Sequence, residues 1–207
     1  ERGDQVAQPR WQRYWNTPPD NTRDSEYLGL VGEILGGGKT SRLYERLVYR
    51  ERLADSAGAG QSPLEIAGLF TLSADVKQGV PVARVEAAMM EELQRFIDEG
   101  PTKAELERAR IAIRAGFVRG LERIGGFGGK ADVLASCEVY AGDPGCYRQS
   151  LEWIEAATPA DLQRVARQWL SQGDYTLEVL PQPPFAATAT DAVDRIDSSC
   201  PDYLRRA

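Results

Sequence analysis

Residues 27–54 read YLGLVGEILGGGKTSRLYERLVYRERLA, and their pattern indicates two helices in series. Apolar side chains recur at helical spacing between Leu28 and Leu35. Asp24 stands where the N-cap of that helix is expected. Three consecutive glycines end the helix, and a second one is predicted from about Thr40 onward. The glycine run therefore separates two helices of one packed unit.

Strand patterns flank this helical pair. Residues 9–17 read PRWQRYWNT, an aromatic-rich run that is typical of a strand. Residues 70–76 alternate between apolar and polar side chains, which predicts a half-buried strand, and residues 175–179 repeat that alternation. Between them lie amphipathic helical stretches, one of which starts at a T-x-x-E capping box on Thr102. Because strands and helices do not alternate regularly, we predict an α+β fold with a largely antiparallel sheet.

The glycine run followed by Lys39 and Thr40 invites comparison with a phosphate-binding loop. Such a loop has the pattern G-x-x-x-x-G-K-[ST] and joins a strand to a helix, so that backbone N–H groups surround the phosphates. Here Glu33 stands where the first glycine belongs, and the preceding segment is predicted to be helical. A carboxylate at that place repels phosphate. We therefore interpret the run as a connection between two helices.

The composition excludes several classes of chemistry. The 207 residues include no histidine, which excludes serine–histidine and cysteine–histidine nucleophile systems and imidazole zinc sites. A formal net charge of −6 argues against a nucleic-acid partner. No apolar run reaches the roughly 18 residues needed for a membrane span. Because the chain starts with neither methionine nor a signal peptide, we expect it to be a piece of a longer protein or a processed form.

The chain is predicted to contain one domain, residues 1–184, followed by a polar linker, residues 185–207. Two of its three cysteines, Cys137 and Cys146, are close enough in sequence to pair across a turn. Two free thiols are the alternative, and Cys200 lies in the linker. No C-x-x-C motif occurs, so zinc-ribbon and thioredoxin-type sites have no support.

A basic and aromatic group closes the second predicted helix. Tyr49, Arg50 and Arg52 are our candidate contacts for a peptide substrate. The alternative is a helix face on which arginines form ion pairs with Glu45 and Glu51. No catalytic, cofactor-binding or metal-binding residue is predicted in this chain.

Four blocks of sequence together resemble one family. They are YLGLVGEILGGGKTSRLYERLVYRERLA, GGFGGKAD at 125–132, the run from DPGCYRQS to RQWL at 143–170, and YTLEVLP at 175–181. In this order and spacing they closely resemble the second domain of a half-unit in the pitrilysin/insulysin (insulinase) family of zinc metallopeptidases, bacterial branch. The resemblance spans about residues 9–181. It implies a two-layer sandwich with helices packed on one face of a mostly antiparallel sheet.

The resemblance also implies a function. In this family two half-units enclose a chamber for peptides, and an inverted His-x-x-Glu-His motif with a distal Glu binds zinc in the first domain of one half-unit. This chain is then a non-catalytic, structural and chamber-forming domain of a zinc metalloendopeptidase that hydrolyses peptides or small unfolded polypeptides. Zinc is expected in the upstream domain, and the partners are that domain, a second half-unit and a peptide substrate. The alternative is a degenerate relative without peptidase activity that serves as a structural subunit of an assembly, as in respiratory complexes.

One motif of the family indicates which half-unit this is. In the half-unit without zinc, the stretch aligned with residues 47–55 reads Leu-Arg-x-x-x-Gly-Leu-Ala-Tyr, and its Arg and Tyr bind the substrate. The corresponding residues here are Val48 and Asp55, so that pair is absent. We therefore expect the domain to follow the zinc domain of the active half-unit. Because bacterial relatives often carry export signals, the resemblance also implies a periplasmic location.

Overall fold

A five-stranded sheet forms one layer of the protein in a computed structural model, which describes residues 2–4 and 6–182. Its strands are β1 (Arg2–Asp4), β2 (Arg10–Thr17), β3 (Ala54–Ser62), β4 (Gly68–Val76) and β5 (Asp174–Pro181). Their order across the sheet is β1-β5-β2-β4-β3. Only β1 and β5 run parallel, and the other pairings are antiparallel. The predicted α+β fold with a mostly antiparallel sheet is therefore confirmed.

Helices form the second layer. They are α1 (Arg23–Gly36), a π-helical segment (Tyr44–Arg50), α2 (Val82–Glu99), α3 (Lys103–Leu121), α4 (Lys130–Ala141), α5 (Tyr147–Ala156) and α6 (Pro159–Trp169). The helices α1, α2 and α6 contact the strands directly, while α3 and α5 pack against α1. Along β4 the side chains that face these helices are buried and the alternate ones are partly exposed. The predicted two-layer arrangement, with helices on one face, is confirmed. Among the described residues, no helix is both long enough and apolar enough to cross a bilayer.

The core lies between the sheet and the helices. Trp11 and Trp15 of β2 and Phe70 of β4 are at most 1% exposed. The Trp15 and Phe70 rings meet edge to face, with centroids 6.3 Å apart. Met89 and Phe96 of α2 are fully buried in the same cluster. Because each such side chain contributes about 1.5–3 kcal/mol when buried, this cluster dominates the stability of the fold.

Glycines bring α1 unusually close to the edge strand β3. A Cβ atom on Gly36 would lie 1.8 Å from the Ala59 nitrogen, and one on Gly32 would lie 2.9 Å from the Gly60 Cα. These two glycines are one helical turn apart, so together they form a groove that receives the backbone of β3. The glycine-rich part of the first block therefore has a packing role, consistent with a helix connection rather than a phosphate site.

One local prediction was wrong. Thr22, not Asp24, caps α1, because the Thr22 side chain accepts from the Ser25 N–H. The Asp24 carboxylate instead accepts from Arg164 and from the Trp169 indole N–H, at 2.7 and 3.0 Å. Burial opposes ionisation of Asp24, but these hydrogen bonds and the Arg164 charge lower its pKa below the usual value. The predicted second helix is present, and it is π-helical from Tyr44 to Arg50.

Three further sequence predictions concern the start of α3, the pairing of the cysteines and the C-terminal linker. The capping box on Thr102 is present, with Glu105 as its reciprocal partner. Cys137 and Cys146 form a disulfide, with their Cα atoms 5.4 Å apart. The two cysteines therefore pair and are not free thiols. Cys200 and the predicted linker at residues 185–207 lie outside the described residues.

Candidate functional site

The candidate peptide contacts lie on the π-helical segment and the turn after it. Leu43, Leu47 and Leu53 are at most 2% exposed and fix this stretch to the core. The Leu53 N–H donates to the Leu47 carbonyl at 2.7 Å, which closes the end of the segment. Its opposite side therefore faces solvent.

Tyr49, Arg50 and Arg52 all lie on that exposed side, and among the described residues only Arg50 of these three forms an ion pair. Tyr49 is 75% exposed. The Arg50 guanidinium pairs with the Glu45 carboxylate. Arg52 is exposed and has a backbone φ of 54°, in the left-handed region. The alternative interpretation, in which Glu45 and Glu51 hold arginines in ion pairs, describes much of the observed geometry.

Replacing Arg52 by glycine should stabilise the domain. A left-handed conformation costs an L-residue about 1–2 kcal/mol, and glycine avoids that cost while adding entropy to the unfolded chain. The expected net gain is about 0.5 kcal/mol. The family motif given above also has glycine at this position. The urea midpoint of R52G should therefore rise.

Asn21 supplies a matched control, because its φ of 55° is also positive. Asparagine tolerates this region far better than arginine does. The stability of N21G should therefore change by no more than a few tenths of a kcal/mol. Equal midpoint changes in R52G and N21G would contradict the strain argument.

An ion-pair network lies beneath the exposed side. Arg42 donates from Nε and Nη2 to the two Glu105 carboxylate oxygens at 2.7 and 2.8 Å. Its Nη2 also donates to the Gly100 carbonyl at 3.1 Å. Arg46 donates to Glu51 and to Glu91 at 2.8 and 2.5 Å. The network therefore ties the π-helical segment to α2 and to the start of α3.

Two glutamates of this network accept hydrogen bonds from arginine side chains. Glu92 is only 1% exposed, and the Arg95 guanidinium donates to it at 2.5 Å. Burial opposes ionisation of Glu105, but hydrogen bonds from Arg42 and from both the N–H and the hydroxyl of Thr102 lower its pKa to about 2. The carboxylate of Glu105 thus caps α3 and neutralises Arg42 at the same time.

The network surrounds a cavity of about 240 Å³. Its charged lining residues are Arg42, Glu45, Arg46, Arg50, Glu51, Glu92, Arg95 and Glu105. Four arginines face four glutamates there, so the site has no net charge with which to select a charged peptide. Because its charges balance and its side chains pair with one another, this network connects secondary-structure elements and does not form an active site.

The described residues do not fit a zinc ion. Within residues 2–4 and 6–182, no group of three or more Cys, Asp or Glu side chains is arranged to hold a metal, and the chain has no histidine.

The Glu33 carboxylate lies against the glycine run, where a Cβ on Gly37 would be 2.4 Å from its Oε2. That position argues against phosphate binding.

Comparison with known families supplies the wider context for these observations. The family described as "Peptidase M16 inactive domain" matches residues 1–113 of the chain. The chain belongs to this family. The M16 inactive domain is the non-catalytic type of domain in zinc proteases, and the resemblance to the insulinase family stated above is confirmed.

A curated relative agrees with this assignment. The M16 inactive domain is 26% identical over 163 residues to the zinc protease PqqE of Helicobacter pylori, a match that covers 78% of this chain and 36% of that protein. It thus spans about a third of this curated relative.

Solved structures share the fold. A protease from Helicobacter pylori superposes with a TM-score of 0.76 at 21% identity, covering 86% of this chain and 42% of that one. The periplasmic protease PqqL of Escherichia coli gives a TM-score of 0.65 at 14% identity, covering 86% of this chain and 20% of that one. At these identities the similarities establish the fold of the M16 inactive domain.

Proposed function

We propose that this domain is the non-catalytic, chamber-forming part of a zinc metalloendopeptidase that hydrolyses peptides or small unfolded polypeptides. One observation supports this most strongly: an M16 inactive-domain match in a chain that has no histidine. The zinc ion and its ligands belong to an upstream domain of the parent protein, and a second half-unit completes the chamber.

The sheet supplies two surfaces suited to this role. The face away from the helices carries small and polar side chains, such as Ser73 and Thr71 of β4. The edge strand β3, with the sequence ADSAGAGQS, leaves backbone groups on its outer side without a strand partner in the described residues. Edge strands of this kind pair readily with an extended peptide. Small side chains also leave room for the side chains of that peptide.

The exposed side of the π-helical segment is the second proposed contact with substrate. Tyr49 and Arg52 are exposed there. An aromatic ring and a guanidinium contact peptide backbone and carboxylate groups through stacking and hydrogen bonds. Arg50 contributes once its ion pair with Glu45 opens.

A periplasmic location is part of the proposal. The Cys137–Cys146 disulfide is of the kind that persists in oxidising compartments. The fold similarity to the periplasmic protease PqqL is consistent with it.

Reconstitution tests the proposed function. The upstream domain of the parent gene is expressed separately with zinc, and cleavage of a quenched fluorescent peptide is followed with and without this chain. We expect cleavage only in the mixture, because the zinc domain lacks its hydrophobic support and chamber wall when alone. If the mixture is inactive, the second half-unit is added. Continued inactivity of the folded, zinc-loaded assembly would favour the degenerate, non-peptidase alternative.

A triple variant in the active mixture tests the substrate contact. Y49A/R50A/R52G should raise KM about threefold or more and leave kcat nearly unchanged, since uniform binding alone is lost. Y140A, which removes another exposed tyrosine on α4, is the matched control. An unchanged KM in the triple variant would remove these three residues from the site.

A further inference from the structure

A second cavity lies apart from the charged network, between α3, α4, α5 and the turn before α1. Its volume is about 300 Å³, at the lower end of the range found for ligand pockets. Its lining includes the apolar side chains of Ile113, Phe117, Leu151 and Ile154. The Phe117 ring stacks on the ring of Tyr147, with centroids 5.8 Å apart. The cavity thus has an apolar and aromatic wall suited to a small hydrocarbon or aryl group.

The helix α4 forms one wall of this cavity without packing closely onto the body. Cys137 is its only buried side chain among the described residues. The disulfide from Cys137 to Cys146 ties α4 to the start of α5, and at the other end the Asp132 carboxylate accepts from the Gly128 N–H at 2.7 Å. The disulfide therefore links α4 to the start of α5 beside the cavity, whereas the Asp132 hydrogen bond reaches only the turn that precedes α4.

The polar part of the lining has a single sign of charge. Asp20, Glu26 and Asp132 line the cavity, and the part of the chain that the structure describes contributes no lysine or arginine to its lining. The Asp20 and Asp132 carboxylates accept hydrogen bonds from the backbone of their own turns. Burial and the nearby Asp20 charge raise the pKa of Glu26, although a hydrogen bond from Ser150 acts in the opposite direction. Glu26 is therefore a partly buried carboxylate that forms no ion pair with the lysines and arginines of residues 2–4 and 6–182.

We propose that this cavity binds a small organic cation with an apolar body, an arylalkylamine for example. The aryl or alkyl group would pack on Ile113, Phe117 and Ile154, and the ammonium group would donate to Glu26. A neutral or anionic molecule of the same shape gains the apolar contacts but leaves Glu26 unpaired or repelled. The site is independent of the proposed peptidase role.

Titration of the 207-residue chain with three matched probes tests the site. The probes are 2-phenylethylamine, 2-phenylethanol and 3-phenylpropionate, and binding is measured by calorimetry and by NMR shift mapping. We expect the amine to bind at least tenfold more tightly than the alcohol, and the acid to bind most weakly. In the unmodified chain, the amine should shift the methyl and ring resonances of Ile113, Phe117 and Ile154. Equal affinity for amine and alcohol, or shifts located elsewhere, would overturn the proposal.

Two variants separate charge recognition from packing. Glu26→Gln should remove most of the preference for amine over alcohol, and Glu33→Gln, on the same helix but outside the cavity, should leave it intact. E26Q should fold well, because it replaces a charge that burial disfavours. A preference that survives in E26Q would assign the cation to another group and refute the role of Glu26.

Discussion

Gly36→Ala should lower the free energy of unfolding by roughly 3 kcal/mol or more, the upper range for forced overpacking. A Cβ at this position would lie 1.8 Å from the Ala59 nitrogen and 2.5 Å from the Gly58 carbonyl carbon. Both neighbours are backbone atoms of β3, so no side-chain rotation can relieve the clash. The helix α1 and the edge strand must separate, which also disturbs the core leucines of α1. Chemical denaturation followed by circular dichroism measures the loss.

Gly29→Ala is the matched control on the same helix. A Cβ at Gly29 has no atom within 4 Å. Alanine is a better helix former than glycine by about 0.8–1.0 kcal/mol, so G29A should stabilise the domain by up to that amount. Opposite signs for two identical substitutions, seven residues apart, isolate the contact with β3. If G36A is as stable as the unmodified chain, α1 does not pack against β3 this closely.

Arg42→Ala should cost about 3 kcal/mol, which corresponds to roughly 6–12 °C in Tm for a domain of this size. The Arg42 and Glu105 side chains are only 11% and 16% exposed. Removing the guanidinium leaves the Glu105 carboxylate, and the buried Glu92 nearby, without that positive charge. It also removes the hydrogen bond to the Gly100 carbonyl. Differential scanning calorimetry at neutral pH measures the change in Tm.

The control for this prediction is an exposed ion pair. Arg114 and Glu155 are 71% and 54% exposed, so R114A should change the stability by less than about 0.5 kcal/mol. A similar loss of stability in R42A and R114A would show that burial does not strengthen the contribution of the Arg42–Glu105 pair to the stability of the fold.

Acid should remove the contribution of the Arg42–Glu105 pair to the stability of the fold. The pKa of Glu105 falls from 4.5 in a free glutamate to about 2 in the folded protein. Its ionised form therefore stabilises the fold above pH 4.5, and this stabilisation is lost as the pH falls from 4.5 towards 2. The stability difference between the unmodified chain and E105Q should shrink across that interval. A difference that does not depend on pH would contradict the assignment of the low pKa to Glu105.

The fold was largely predictable from local sequence patterns. The alternation in residues 70–76 gave β4, and the capping box on Thr102 gave the start of α3, because both depend on neighbours along the chain. The cap of α1 was misplaced by two residues, since Thr22 and Asp24 are both good caps and only the tertiary contacts of Asp24 decide between them. The π-helical form of Tyr44–Arg50 depends on burial of Leu43, Leu47 and Leu53 together, which apolar spacing alone does not distinguish from an α-helix.

The candidate site was only partly predictable. Exposure of Tyr49 and Arg52 fits a binding surface, and the pairing of Arg50 with Glu45 was foreseen as an alternative. The buried network around Arg42 was missed, because its partner Glu105 is 63 residues away. Only the position of Glu105 in a capping box marked it as a structural carboxylate. The apolar cavity behind α4 depends on the spacing between helices, which no local pattern records.

The parallel pairing of β1 with β5 has a consequence for chain connectivity. Asp4 aligns with Pro181 and Arg2 with Val179 on adjacent strands, which are about 4.8 Å apart. Because the chain must return along the strands to enter β1 in the same direction, a crossover linker of about a dozen residues from residue 182 to residue 2 is needed to join them. New ends would then fit in the exposed turn at residues 77–79, between β4 and α2. The same sheet and core should form in such a circular permutant, with β5 and β1 made consecutive in the gene.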